Sequence, residues 1–203
     1  MDYHIGRVLG ALNDLGYRDK TLVIFSSDNG PVTSDWINWR ETNAYGSTGG
    51  YGGRKHGLYG GGLRVPTIIR YPGVIEPDSV SYIPSIGMDL FVTILNQTSA
   101  RVPVERMLDG IDLSPIFSGA DIPKIRNFFW ALPIRWNKDY VSRRGDWQLI
   151  LDSDHKPIEL YNLKEDLLEI FNRLHEEKNI VAQLTDGFSA IWTSIQNGPL
   201  RPN

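Results

Sequence analysis

Apolar residues in the first fifteen positions recur at helical spacing: Ile5, Val8, Leu9, Leu12 and Leu15, with Gly16 following where a left-handed residue ends a helix. The pattern predicts an amphipathic helix over residues 2–15. It then gives way to a short unbroken apolar run, Thr21-Leu-Val-Ile-Phe-Ser26, rich in β-formers. Such a run predicts a strand buried on both faces of a parallel sheet. Helix then buried strand is the second half of a β-α-β unit, whose right-handed crossover needs a parallel strand ahead of the helix. The helix starts at residue 2, so the expectation is a piece of a larger sheet, with its missing partner strand supplied from elsewhere.

Downstream, residues 31–62 are mostly polar and glycine-rich and read as loop. Val65-Pro-Thr-Ile-Ile-Arg70 reads as a strand whose proline favours an edge or first position, and Ser85 to Leu95 as a helix. A turn-rich stretch, Asp109 to Gly119, closes this region. Beyond it, Phe128 to Leu132, Tyr140 to Arg143, Trp147 to Leu151 and Ile158 to Leu163 have the pattern of short antiparallel strands. Ile180, Val181, Leu184, Phe188, Ile191, Trp192 and Ile195 mark a closing helix in spite of Gly187. The expected architecture is an α/β region over residues 1–118, then a small α+β subdomain over 119–203 made of a short antiparallel sheet and a C-terminal helix.

Composition narrows the possibilities. Of 203 residues, 41% are hydrophobic and 22% charged, an ordinary globular balance that argues against long disorder. With 21 basic and 24 acidic residues and no basic run longer than a pair, there is no footprint for nucleic acid, and an anionic ligand must be met locally. No stretch approaches the roughly 20 apolar residues that span a bilayer. The absence of cysteine excludes disulfides, thiolate metal ligands and a cysteine nucleophile within this sequence, and leaves the compartment open.

Two stretches could carry chemistry. Ser27-Asp28-Asn29-Gly30 follows the apolar run, at the strand end where open α/β sheets place ligands. A carboxylate beside an amide carbonyl offers hard oxygen donors suited to Ca²⁺ or Mg²⁺. Taken alone, Asp-Asn-Gly-Pro is equally a plain turn. The second stretch, Gly46 to Gly62, holds nine glycines in 17 positions around Arg54-Lys55-His56. Glycines let backbone N–H groups approach an anion, and Lys55 would add charge. The order of its residues is not that of a phosphate-binding P-loop, and a flexible surface loop has the same composition. Trp36 and Trp39 lie in the polar segment after Asp28-Asn29, placed to wall a substrate mouth. His175-Glu-Glu-Lys-Asn179 lacks the second histidine of a zinc helix, and Asn96-Gln-Thr98 is a sequon without further support.

Taken in order, Thr21-Leu-Val-Ile-Phe-Ser-Ser-Asp-Asn-Gly-Pro31, Gly52-Gly-Arg-Lys55 and Leu58-Tyr-Gly-Gly-Gly-Leu-Arg-Val-Pro66 resemble the second half of the arylsulfatase family. The likeness extends through Asp109-Gly-Ile-Asp-Leu-Ser-Pro115, Arg144-Gly-Asp-Trp-Gln-Leu-Ile150 and Glu159-Leu-Tyr-Asn-Leu163. It departs at Gly60, where that family usually has Glu, at Asn162 in place of Asp, and over residues 164–175, where an Asp-Pro-x-Glu turn is usual.

The resemblance implies an alkaline-phosphatase-like α/β fold and the hydrolysis of sulfate esters, on carbohydrates or aryl compounds. It implies one Ca²⁺ or Mg²⁺ held by two aspartates from a first half and by the counterparts of Asp28 and Asn29, with Lys55 on the substrate sulfate. The family nucleophile, a formylglycine made within Cys/Ser-x-Pro-x-Arg, has no match in this sequence. The expectation is therefore a C-terminal sulfatase fragment, inactive alone, self-associating through an exposed sheet edge and derived from a periplasmic, extracellular or lysosomal parent. The rival readings are a phosphomonoesterase or phosphodiesterase of the same superfamily, and a non-catalytic module that binds glycan or protein through residues 119–203.

Overall fold

The computed structural model describes residues 1–32, 46–101, 108–123, 125–132 and 140–198. These form two compact units, one of residues 1–27 with 66–122 and the other of residues 28–65 with 123–203. Trp36 and Trp39 lie outside the described residues.

The first unit begins with helix α1, Asp2–Asp14, which ends as its sequence requires: Gly16 adopts φ +72°, and the Tyr17 N–H turns back onto the Leu12 carbonyl at 2.8 Å. A 3-10 turn, Arg18–Lys20, leads into strand β1, Val23–Phe25. This strand pairs antiparallel with β2, Ile68–Arg70, in the register Ile24 opposite Ile69. Within this chain β1 is half-buried, and its described neighbour, β2, is antiparallel. Helix α1 has no buried residues. Helix α3, Gly87–Gln97, is tied to the turn after it by two fully buried polar side chains. Asp89 accepts from the Ile86 and Ile111 N–H groups, both at 2.9 Å, and the Thr93 hydroxyl accepts from Leu113 N–H at 2.8 Å. A single turn of helix, α4, Ser114–Phe117, follows.

The second unit contains the short helix α2, Gly60–Leu63, and a four-stranded antiparallel sheet in the order β3-β4-β5-β6. Its strands are Asn127–Ala131, Tyr140–Arg144, Trp147–Leu151 and Pro157–Asn162. β4 and β5 are joined by the two-residue turn Gly145-Asp146, with Gly145 at φ +58°. Because strand residues alternate between faces, the sheet builds two cores. Tyr140, Leu149, Leu151 and Leu160 pack beneath Leu184 and Phe188 of helix α5, Lys178–Gln196. Val141, Ile150, Tyr161 and Leu163 pack on the opposite face with Leu58, flanked by Tyr59 and Leu63. The glycine-rich stretch is therefore the second cover of this sheet.

Candidate anion and cation site

Within the second unit the two chemistry-bearing stretches are joined through their backbones. Gly30 N–H donates to the Gly62 carbonyl, and Lys55 N–H donates to the Pro31 carbonyl, each at 2.9 Å. Glycine is needed for this approach: a Cβ on Gly30 would stand 1.8 Å from the Gly61 oxygen, and one on Gly61 would stand 2.3 Å from the Gly53 oxygen. The adjacent glycines that read as flexible composition are thus close-packed at the centre of the loop.

Lys55 is half-buried between Arg54 and His56, and His56 holds φ +68°. A non-glycine residue in the left-handed region costs about 1 kcal/mol or more and persists only where its surroundings fix it. Asn29 is half-buried and Asp28 exposed. The Asn29 amide nitrogen donates to the Gly30 carbonyl at 2.9 Å, which assigns the other end of the amide as the oxygen. That oxygen and the Asp28 carboxylate fit a hard divalent cation in kind. In number they are two of the about six to eight oxygens that Ca²⁺ takes. Among the described residues no group of three or more His, Asp or Glu side chains converges on a metal position.

The back of the loop is fastened to the sheet by two carboxylates. Glu159 accepts the Tyr59 hydroxyl at 2.6 Å and the Tyr161 hydroxyl at 3.0 Å. Burial and the neighbouring Glu159 push both phenols far above their ordinary value, so both stay protonated donors. Glu169, 7% exposed, accepts Gly60 N–H at 2.6 Å on one oxygen and the Gln148 amide at 2.5 Å on the other. Burial pushes this carboxyl up, against the pull of those two hydrogen bonds and of Arg64. The sequence reading assigned Glu169 nothing. Its signal was a lone acid within Leu167-Leu-Glu-Ile-Phe171, where two apolar residues on each side accompany a carboxylate turned inward. Elsewhere, Glu176 and Glu177 engage Arg173 at 2.5 and 3.9 Å.

The comparisons with known proteins point to one family. A model described as Sulfatase matches residues 1–100, and the strand motif, Asp28-Asn29 and the whole glycine-rich stretch fall inside that match. Over residues 1–100 the chain is similar to the sulfatase family. It is 39% identical to steryl-sulfatase of Rattus norvegicus over 119 residues, covering 59% of this chain and 20% of that protein. It is 25% identical to N-acetylgalactosamine-6-O-sulfatase of Bacteroides thetaiotaomicron over 210 residues, covering 95% of this chain and 40% of that protein. A solved structure of a protein in complex with its substrate D-glucosamine-2-N,6-O-disulfate superposes with a TM-score of 0.72 at 22% identity, over 97% of this chain and 39% of that one. The chain thus spans a fifth to two fifths of the length of these curated relatives. The alkaline-phosphatase-like α/β fold with a small α+β unit, expected from the resemblance, is the fold these sulfatases share with it. Among the described residues no helix is long and apolar enough to cross a membrane.

Proposed function

We propose that the protein of which this chain forms part is a sulfuric ester hydrolase acting on sulfated carbohydrates, and that residues 28–62 of this chain provide part of its active site. In this reading residues 1–118 are the C-terminal part of the catalytic domain and residues 119–203 a subdomain that backs it. The observation that carries the proposal is the pair of backbone hydrogen bonds, Lys55 to Pro31 and Gly30 to Gly62, which fixes a lysine loop beside an Asp-Asn pair. Relatives named for the 6-sulfate of N-acetylgalactosamine, and a fold neighbour bound to a sulfated glucosamine, support the carbohydrate class.

Asp28 and Asn29 would hold a Ca²⁺ or Mg²⁺ ion, which when bound supplies positive charge to polarise the sulfate. Lys55 binds and orients the sulfate, and its ammonium stabilises negative charge that develops on the sulfuryl oxygens. The loop backbone, packed by glycine, holds that ammonium in place without side-chain bulk. Trp36 and Trp39 would border the sugar. The isolated chain lacks a Cys/Ser-x-Pro-x-Arg sequence and is proposed to be inactive. Exposed apolar side chains of the first unit, among them Val8, Ile68 and Phe91, support self-association of the isolated chain.

The coding DNA upstream of Met1 tests the activity assignment. An in-frame Cys/Ser-x-Pro-x-Arg sequence is expected. An upstream frame with a lone Ser or Thr nucleophile and additional His and Asp ligands would instead assign a phosphoryl-transfer enzyme. Turnover of a chromogenic aryl sulfate by the isolated chain with Ca²⁺, above a Lys55→Ala control, would overturn the inactivity.

A further inference from the structure

We propose that Glu169 is a positioning residue for Lys55: its carboxylate clasps the glycine-rich loop to the sheet and so holds the lysine at the sulfate position. The proposal rests on the assignment of Lys55 to sulfate. Three observations carry it. Glu169 is almost wholly buried, and both its oxygens are taken, one by the backbone N–H of Gly60 and one by the side chain of Gln148 on β5. One carboxylate therefore bridges the loop to a central strand.

Glu169 also adopts φ +60°, a left-handed conformation that a non-glycine residue holds only against a cost of about 1 kcal/mol or more. The chain bends into that conformation to bring the carboxylate under Gly60, where a Cβ would lie 3.1 Å from Glu169 Oε2. The space beside the Gly60 backbone is filled by an acid reaching in from a segment 109 residues away.

The clasp is continuous with Lys55 through short backbone links. Gly61 N–H donates to the Gly52 carbonyl at 2.7 Å, Gly62 N–H to Tyr59 at 2.9 Å, and Gly62 O receives Gly30 N–H. Helix α2 thus passes through the turn that presents residues 52–57. Tyr59 is anchored separately by Glu159, so Glu169 is placed to fix the start of α2 and the lysine turn, and Glu159 to fix the tyrosine before it. On the outer side the Arg64 guanidinium lies over the Tyr51 ring, 4.6 Å from its centroid, adding a cation-π contact across the same loop.

The test uses the whole 203-residue chain labelled for NMR, with Glu169→Ala, Glu169→Gln and Gln148→Ala beside the unaltered protein. In Glu169→Ala, amide exchange at Gly60, Gly61 and Lys55 is expected to accelerate by about tenfold or more, with Leu149, Ile150 and Leu160 keeping their protection. Glu169→Gln retains an oxygen for Gly60 N–H and should restore most of the loop protection. Titration with inorganic sulfate, read at the Lys55 amide, should weaken by about tenfold in Glu169→Ala and recover in Glu169→Gln, a split that loss of stability alone does not produce. Unchanged loop exchange in Glu169→Ala, or sulfate affinity unchanged while the loop opens, overturns the positioning role. If Glu169→Ala fails to fold, Gln148→Ala removes one arm of the clasp and the same two readouts decide. A chain whose Lys55 ignores sulfate in every variant overturns the sulfate assignment, and the exchange data then decide the clasp alone.

Discussion

Lys55 shows what a residue gains from its setting. In sequence it was one cation among 21 basic residues, marked only by the glycines around it. In the fold its backbone is bonded to Pro31 and its neighbour His56 is held left-handed, so the side chain leaves from a fixed turn. Gly61 belongs to the same scale. Replacing it with alanine sets a Cβ within 3 Å of three carbonyl oxygens, of Gly53, Gly52 and Tyr51, with backbone on every side and no flexible neighbour to yield. Gly61→Ala is expected to destabilise the loop by about 1–3 kcal/mol, seen as loss of amide protection across residues 52–62. Glu169 adds a pH dependence whose sign is fixed. Its folded-state value lies above its unfolded one, so its contribution to stability is complete on the acid side and is withdrawn as pH rises through the folded value. Urea unfolding followed by tryptophan fluorescence between about pH 4 and pH 7 should show the unaltered protein losing stability relative to Glu169→Gln as pH rises. A difference that grows in the opposite direction would contradict the burial argument.

At the scale of elements, most of the structure was legible. Four strand segments and a closing helix were read from alternation and helical spacing, and β3 to β6 and α5 stand within a few residues of those positions. The two-faced burial of the sheet explains the success, because a strand with cores on both sides must place Val141, Leu149, Ile150, Leu151 and Leu160 inward and has no freedom to slip. Strand β1, Val23–Phe25, lies within the apolar run 21–26 that predicted it. A wholly apolar run speaks for burial on two faces but does not name the partner strand, and its described neighbour is antiparallel β2. Of the candidate site, the sequence named Asp28, Asn29 and Lys55, which stand in one unit with their segments bonded, whereas Glu169 bonds Gly60 over a separation that local pattern does not reveal. The core under α5 gives a direct check. Phe188 is 1% exposed and touches the rings of Phe129, Tyr140, His155 and Trp192, with centroids between 5.0 and 6.1 Å away. Phe188→Ala should cost about 3–5 kcal/mol in urea unfolding of the sheet unit.

For the whole molecule, the two units differ in how far they close on themselves. The sheet unit has an apolar core on each face of its sheet but leaves Ile125, Ile170 and Phe171 exposed, and the unit containing α1 and α3 leaves Tyr3, Val8, Leu15, Ile68, Val80, Tyr82, Met88 and Phe91 exposed. Exposed apolar surface of that extent is of the kind that protein–protein contacts cover. Sedimentation of the isolated chain is expected to show concentration-dependent association, and a monodisperse monomer at high concentration would contradict this. Similarity to the sulfatase family over residues 1–100, with coverage of a fifth to two fifths of the relatives, is consistent with the proposal that this chain is part of a longer protein.

The central claim is that residues 28–62 hold a sulfate-binding lysine in a loop fixed beside an Asp-Asn pair. Titration of the isotopically labelled chain with inorganic sulfate tests it most directly, with Lys55→Ala and Arg54→Ala as paired controls. Resonance shifts confined to Lys55 and its flanking glycines, abolished in Lys55→Ala and retained in Arg54→Ala, are the predicted result. Shifts that persist unchanged in Lys55→Ala, or that scatter over surface cations with no focus on the loop, would contradict it.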